Sequence, residues 1–104
     1  MFYKENIENK LNEIEANYKG KVKCISCNLN DTLQIESLVQ QSNEYYGSTD
    51  ILINNAGITK DNLFLRMKDE EWNDVININL NSNFKLTKQI LKGMIKSRWG
   101  RIIN

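Results

Sequence analysis

A short apolar run in the middle of the chain, at residues 50–54, constrains the fold more than any other feature. Its three central residues are Ile51, Leu52 and Ile53. The run lacks the apolar–polar alternation of a strand with one solvated face, and it is too short for a helix. Such a run is typical of a parallel strand covered on both faces. The sequence therefore predicts an α/β fold with this strand at the centre of the sheet.

The segments before this strand alternate between helical and extended patterns. Residues 3–18 place apolar side chains at steps of three and four, which predicts a helix, and Gly20 suits its end. Residues 22–27 read as a strand. Asp31 is a suitable cap for a second helix, which Gly47 ends.

The segments after the strand continue the same alternation. A loop over residues 55–68 precedes one long predicted helix, with acidic residues 69–71 at its amino end and basic residues near its carboxyl end. Gly100 breaks this helix, and a further strand begins at residues 101–104. The order helix, strand, helix, strand, helix, strand predicts a parallel sheet with right-handed crossovers.

Length and charge exclude several classes of function. A chain of 104 residues is one domain or a piece of one. Its net charge of +1 gives no electrostatic case for a nucleic-acid partner. No apolar run approaches the roughly 18 residues of a membrane span, and the amino terminus has no signal-peptide pattern. We expect a soluble intracellular protein.

Cys24 and Cys27 form a Cys-x-x-Cys spacing, which allows a redox or metal interpretation. In a strand, residues three apart point to opposite faces, so the two sulfurs are expected to diverge. The sequence contains no histidine and no second cysteine pair. Four zinc ligands of the usual kind cannot be assembled from this chain, and no metal site is predicted.

The turn that follows the central strand carries the sharpest motif, Asn-Asn-Ala-Gly at residues 54–57. By itself it could be an ordinary tight turn. Further motifs lie at residues 50–59, 61–63, 66–76, 79–80 and 100–103. Together these stretches resemble the short-chain dehydrogenase/reductase family, and within it the 3-oxoacyl-[acyl-carrier-protein] reductase type. The resemblance is good over residues 28–104 and rests on position alone for the first helix.

The resemblance implies a partial Rossmann-type fold, a doubly wound parallel sheet represented by strands 3, 4 and the start of 5 with flanking helices and truncated at both ends. Residues 1–104 would then be an incomplete dinucleotide-binding domain. The glycine-rich turn, the catalytic serine and the Tyr-x-x-x-Lys motif of the family cannot be assigned here. We expect the chain alone to be inactive. Alone, it is expected to be aggregation-prone or partly ordered, unless the strand at residues 22–27 shifts beside the central one.

The resemblance also implies a set of cofactor-binding residues. Asn28 and Leu29 would lie at the adenine ring, although Asn28 can equally be a turn or cap residue before the second helix. Four further residues would line the cofactor between its adenosine and nicotinamide halves: Asn55, Ala56, Gly57 and Ile58. The cofactor would be NADP(H), as in the parent family.

Three residues receive other roles from the resemblance. Asn79 would be catalytic, holding a water in a proton relay, although a purely structural amide is the alternative. Arg98 and Lys96 would contact the acidic carrier protein. Exposed basic residues near a helix end are often only solvated, and this interpretation stays open.

The implied function is NADPH-dependent reduction of 3-oxoacyl-acyl-carrier-protein in fatty-acid synthesis, by an oxidoreductase of the cytoplasm or, if the parent has a transit peptide, an organelle matrix. The parent family forms dimers or tetramers. One alternative is another short-chain dehydrogenase that reduces acetoacetyl-CoA or another carbonyl. A second is a noncatalytic polypeptide that at most associates with intact subunits.

Overall fold

The computed structural model of the chain describes the backbone of residues 2–104 and the side chains of residues 7–104. Within residues 2–104, four α-helices, two short strands, one turn of 3-10 helix and one turn of π-helix follow one another. These are α1 (Phe2–Asn17), α2 (Thr32–Tyr46), β1 (Ile51–Ile53), a 3-10 turn (Phe64–Arg66), α3 (Asp69–Ile76), a π turn (Asn77–Asn81), α4 (Ser82–Ser97) and β2 (Arg101–Ile103).

Strands β1 and β2 form a parallel pair in which Leu52 lies opposite Ile102. The peptide N–H of Asn54 donates to the carbonyl of Ile103 at 2.8 Å, and that of Arg101 donates to the carbonyl of Asp50 at 3.0 Å. The helical segment between the two strands is the crossover that a parallel pair requires. The predicted α/β class, with the central strand in a parallel sheet, is confirmed.

Helix α2 begins and ends as the sequence predicts. The Asp31 carboxylate accepts a hydrogen bond from the N–H of Leu33 at 3.0 Å, and so caps the first turn. Gly47, at φ 77° and ψ −156°, has a positive φ that favours glycine, and its N–H donates to the carbonyl of Asn43 at 2.8 Å. The helix packs against α4, and its Ile35 has no exposed surface. The capping contacts and the burial of Ile35 therefore both support the predicted helix.

The strand predicted at residues 22–27 is wrong. This segment has no regular secondary structure and pairs with neither strand of the described chain, so it does not shift beside β1 either. The peptide N–H of Cys24 instead donates to the carboxylate of Glu15 at 2.7 Å. The backbone N–H and C=O groups of a strand need hydrogen-bond partners on a neighbouring strand. The side-chain pattern of residues 22–27 does not provide such a neighbour.

The long predicted helix is continuous from Asp69 to Ser97, but its winding is not uniform. The five residues Asn77–Asn81 form a π turn, in which the N–H of Ser82 reaches back to the carbonyl of Asn77. A π turn accommodates one extra residue and is frequent at functional sites.

The prediction that β1 is covered on both faces is also wrong. Leu52 is buried, with 7% of its surface exposed, whereas Ile51 and Ile53 are 54% and 61% exposed. Neighbouring side chains of a strand point to opposite faces. The described residues therefore cover only the face to which Leu52 points.

Candidate functional site

The turn after β1 and the π turn lie against each other, and Asn79 joins them. The Asn79 carboxamide oxygen accepts a hydrogen bond from the N–H of Ile58, and its amide nitrogen donates to the Ile58 carbonyl, both at 2.9 Å. A Cβ added at Gly57 would lie 3.1 Å from the same Asn79 oxygen. Gly57 and Asn79 are therefore immediate neighbours, and a side chain at residue 57 would press on this contact.

The two bonds of Asn79 determine what its side chain does. A carboxamide presents one acceptor and one donor group, and Ile58 engages both. The backbone carbonyl of Asn79 accepts a further bond from the Asn83 side chain at 3.1 Å. The Asn79 side chain therefore connects the loop to the helix.

Asn54, the first residue of the Asn-Asn-Ala-Gly turn, joins the ends of both strands to α4. Its amide nitrogen donates to Thr87 Oγ1 at 3.3 Å and to the side-chain oxygen of Asn104 at 2.8 Å. Its own side-chain oxygen is buried and has no hydrogen-bond partner among the described residues. A buried polar atom without a partner costs free energy, so this oxygen is a cost that the described contacts leave uncompensated.

Asn28 and Leu29 form a compact turn before α2. The Asn28 carboxamide oxygen accepts from the N–H of Asn30 at 3.0 Å, while the N–H of Asn28 donates to the Gln34 side chain at 2.8 Å. The Asn28 carbonyl accepts from the N–H of Asp31 at 3.0 Å. The turn holds its own shape through internal bonds.

Ser82 is a site residue that the sequence did not single out. It begins α4 and is 2% exposed. Its hydroxyl oxygen lies within hydrogen-bond distance of the Leu29 carbonyl and 2.6 Å from the Asn77 carbonyl. A small polar residue three positions after Asn79 is the only signal that sequence reasoning could have used, and many exposed helix residues share it.

A groove of about 720 Å³ runs along α4 beside Asn79. Leu80 and Phe84 on this helix are 61% and 65% exposed. Eight residues line the groove: Asn79, Leu80, Asn83, Phe84, Thr87, Lys88, Leu91 and Asn104. Its wall is mainly apolar, with amide groups at the end nearest the turn after β1.

The two residues predicted to contact a carrier protein lie at the far end of α4. Lys96 is in the last turn, and Arg98 ends the helix in the left-handed conformation, with φ 57° and ψ 27°. Nineteen residues separate Arg98 from Asn79, which corresponds to about 28 Å along a helix. Beside them the Arg101 guanidinium stacks over the Trp99 ring at 4.9 Å. The structure therefore separates these residues from the Asn79 contact.

The two cysteines are free thiols, each partly buried. Burial raises the pKa of the Cys27 thiol, and the nearby Asp31 carboxylate raises it further. Among the residues with described positions, no group of three or more potential metal ligands occurs. No described helix has the length and apolar composition that a transmembrane span requires.

Comparison with known proteins gives the family. The model of the short chain dehydrogenase family matches residues 2–104. Among curated proteins, the chain is 51% identical over 88 residues to the 3-oxoacyl-[acyl-carrier-protein] reductase FabG of Escherichia coli K12, an alignment that covers 85% of this chain and 34% of that protein. It is 50% identical over 91 residues to FabG of Haemophilus influenzae, with 88% and 38% covered.

A solved structure agrees with these sequences. The crystal structure of a short-chain dehydrogenase from Streptomyces avermitilis superposes with a TM-score of 0.84 at 26% identity, covering 88% of this chain and 34% of that one. This chain therefore belongs to the short-chain dehydrogenase family of oxidoreductases. Within that family its sequence is of the 3-oxoacyl-[acyl-carrier-protein] reductase type. It spans about a third of the length of the curated relatives it matches.

Proposed function

We propose that residues 1–104 are an incomplete dinucleotide-binding domain of an NADPH-dependent reductase that converts 3-oxoacyl-acyl-carrier-protein to 3-hydroxyacyl-acyl-carrier-protein in fatty-acid synthesis. In this proposal β1 and β2 correspond to strands 4 and 5 of a doubly wound sheet. One observation carries the proposal: the reciprocal hydrogen bonds between Asn79 and Ile58 place the turn after β1 against the π turn. Ligands of open α/β sheets bind beyond the carboxyl ends of the strands, where this contact lies.

The residues at this edge are compatible with a dinucleotide. Asn55, Ala56 and Gly57 are exposed and mostly small, so a flat ligand can approach their backbone closely. Together with Ile58, these residues would line the middle of the cofactor. The bound nicotinamide cofactor would supply the hydride for carbonyl reduction.

The remaining candidates have positioning and binding roles in this proposal. Leu29 and Asn28 would meet the adenine ring from their turn before α2. Asn79 would fix the loop through its side chain. It would also hold the water of a proton relay, since a carboxamide keeps a second N–H and a second oxygen lone pair when Ile58 has engaged one of each.

Lys96 and Arg98 are proposed as contacts for an acidic carrier protein. Both lie near the carboxyl end of α4, where positive charge is favoured and exposed to a partner. We also propose that the full enzyme is a homo-oligomer and works in the cytoplasm.

A hybrid enzyme tests the proposed function. In the E. coli relative, the matched segment is replaced by the corresponding residues of this chain, and NADPH oxidation is followed with acetoacetyl-acyl-carrier-protein and with acetoacetyl-CoA. We expect activity within about tenfold of the parent and a preference for the carrier-protein thioester, with the unmodified relative as control. A folded hybrid without NADPH-dependent activity would contradict the proposal. A preference for the CoA thioester would favour another carbonyl reductase.

The exposed groove on α4 favours one further candidate, a noncatalytic chain that associates with intact subunits. Leu80 and Phe84 present apolar surface that a second helix could cover. Mixing the 104-residue chain with a full-length relative tests this candidate. Co-elution of the two chains in gel filtration, with a change in the relative's activity, is the expected result. Separate elution and unchanged activity would exclude it.

A further inference from the structure

Ser82 occupies the point where three parts of the chain meet. It is the first residue of α4, it directly follows the π turn, and it faces the Leu29 turn. With 2% of its surface exposed, Ser82 is the only buried polar residue among those whose side chains are described, residues 7–104. Burial of a hydroxyl is favourable only when the hydroxyl forms hydrogen bonds, so its partners indicate its role.

The Ser82 hydroxyl has two carbonyl partners and only one proton to donate. One is the carbonyl of Leu29, 53 residues away in the sequence, and the other is the carbonyl of Asn77 at the start of the π turn. The hydroxyl oxygen lies between the two carbonyls, so Ser82 connects the Leu29 turn to the start of the π turn.

The same two segments form the two ends of the proposed cofactor wall. Leu29 belongs to the turn assigned to the adenine ring, and the π turn carries Asn79, whose carboxamide holds Ile58. Ser82 thus lies between the turn assigned to the adenine ring and the contact that holds Ile58, a residue assigned to the middle of the cofactor. No other buried side-chain hydroxyl among the described residues makes such a connection.

We propose that Ser82 is a positioning residue that sets the spacing between the adenine turn and the Asn79–Ile58 contact, and so favours simultaneous binding of the adenine ring and of the middle of the dinucleotide. This inference rests on the proposed function. Linking two half-sites at the correct distance strengthens binding of the joined ligand beyond that of either half. The Leu29 turn does not need Ser82 for its own shape, because it is closed by internal bonds of Asn28.

The inference is tested first by kinetics of the hybrid enzyme with Ser82→Ala. Loss of one buried hydrogen bond corresponds to roughly a 3- to 10-fold rise in the KM for NADPH. The kcat is expected to stay within about twofold, because Ser82 touches no reacting atom. Inhibition by 5′-AMP, which occupies the adenine half alone, is expected to be unchanged.

Lys85→Met provides the matched control. The Lys85 ammonium donates to Thr32 Oγ1 at 2.8 Å and so also joins α4 to α2, but its hydroxyl partner lies outside the Leu29 turn. We expect its KM for NADPH to match that of the unsubstituted hybrid. Equal weakening of NADPH and 5′-AMP by Ser82→Ala, a fall in kcat, or the same effect from Lys85→Met would each overturn the inference.

Amide hydrogen exchange of the 104-residue chain separates this inference from the proposed function. With Ser82→Ala, the Ile58 N–H is expected to exchange at least about threefold faster, since the π turn that carries its partner Asn79 is released. Lys85→Met is expected to leave it unchanged. An unaltered Ile58 rate would refute the connection through Ser82 even if the hybrid is active. An inactive hybrid with the expected exchange result would refute only the cofactor assignment.

Discussion

The carboxamide of Asn79 forms hydrogen bonds with both groups of one peptide unit, the N–H and the C=O of Ile58. Asn79→Asp keeps the shape and the acceptor but replaces the donor by an oxygen that faces the Ile58 carbonyl. We expect the free energy of unfolding to fall by about 1 to 2 kcal/mol. Urea denaturation followed by tryptophan fluorescence measures the change.

Asn81→Asp is the control for this substitution. It introduces the same charge two residues away, where the side chain only donates to Asn77 within the π turn. A much smaller fall in the free energy of unfolding is expected. Equal losses from the two variants would show that the charge, and not the contact with Ile58, is responsible.

The thiol of Cys27 gives a second prediction at the residue scale. Its pKa is raised by burial and then by Asp31, so at a given pH less thiolate is present than in the unfolded chain. In a Cys24→Ser background, alkylation by iodoacetamide is expected to need a higher pH in the folded chain than in urea. Because the folded pKa is the higher one, this thiol's contribution to stability is present below the unfolded pKa and is lost as pH rises through the folded pKa. Asp31→Asn is expected to reduce the difference between the pH needed for alkylation in the folded and in the unfolded chain. Identical pH profiles of alkylation in the two states would contradict the prediction.

At the scale of the elements, β2 begins immediately beside Met94 of α4. A Cβ added at Gly100 would lie 2.5 Å from the Met94 sulfur and 2.8 Å from its Cβ, and Met94 is itself 5% exposed. Since the Met94 Cβ cannot move without the helix, Gly100→Ala is expected to destabilise the chain by about 1 to 3 kcal/mol. Thermal unfolding measures this.

Gly93→Ala is the matched control for Gly100→Ala. Its added methyl would meet only Ser48 Oγ, the end of a side chain that can rotate away. In addition, alanine is favoured over glycine inside a helix by up to about 1 kcal/mol. Little change or a gain in stability is expected, and a Gly100→Ala variant as stable as Gly93→Ala would contradict the packing argument.

The sequence predicted those features of the elements that depend on local chemistry. In the structure, Asp31 and Gly47 lie at the two ends of α2, as the sequence pattern predicts, because capping groups act on the nearest turn. The residues of β1 were identified, and so was the crossover to β2, since both follow from apolar runs and chain order.

The features that the sequence did not predict depend on distant partners. Residues 22–27 have the composition of a strand but no neighbour to pair with in the described chain. The π turn has no composition of its own, since it differs from an α-helix by one added residue. Ser82 became a candidate only when its hydroxyl was seen beside Leu29, which no spacing in the sequence reveals.

At the scale of the whole molecule, the chain is loosely packed for its length. Its radius of gyration is 16.1 Å, whereas about 13 Å is typical of a compact domain of this size. Its accessible surface is 8669 Å², compared with about 6,100 Å² for a compact chain of the same mass. Much of the excess is apolar: Phe64 and Leu65 are 84% and 96% exposed.

This open surface predicts self-association of the isolated chain. Exposed strand edges and apolar patches favour contacts between copies. Sedimentation at increasing concentration is expected to show oligomers, and Ile53→Lys, on the uncovered face of β1, is expected to reduce them. Ile7→Lys, at a residue 57% exposed on α1, is the control. A wild-type chain that stays monomeric near 100 µM, about the level at which weak contacts form, would contradict this prediction.

The left-handed conformation of Arg98 bears on the positive charge at the carboxyl end of α4. Only glycine adopts the conformation of Arg98 without steric cost, and another residue raises the energy of the native state by about 1 kcal/mol. A glycine at this corner would remove that cost together with the charge. The arginine therefore keeps an exposed cation beyond the last turn of α4 at the expense of backbone strain.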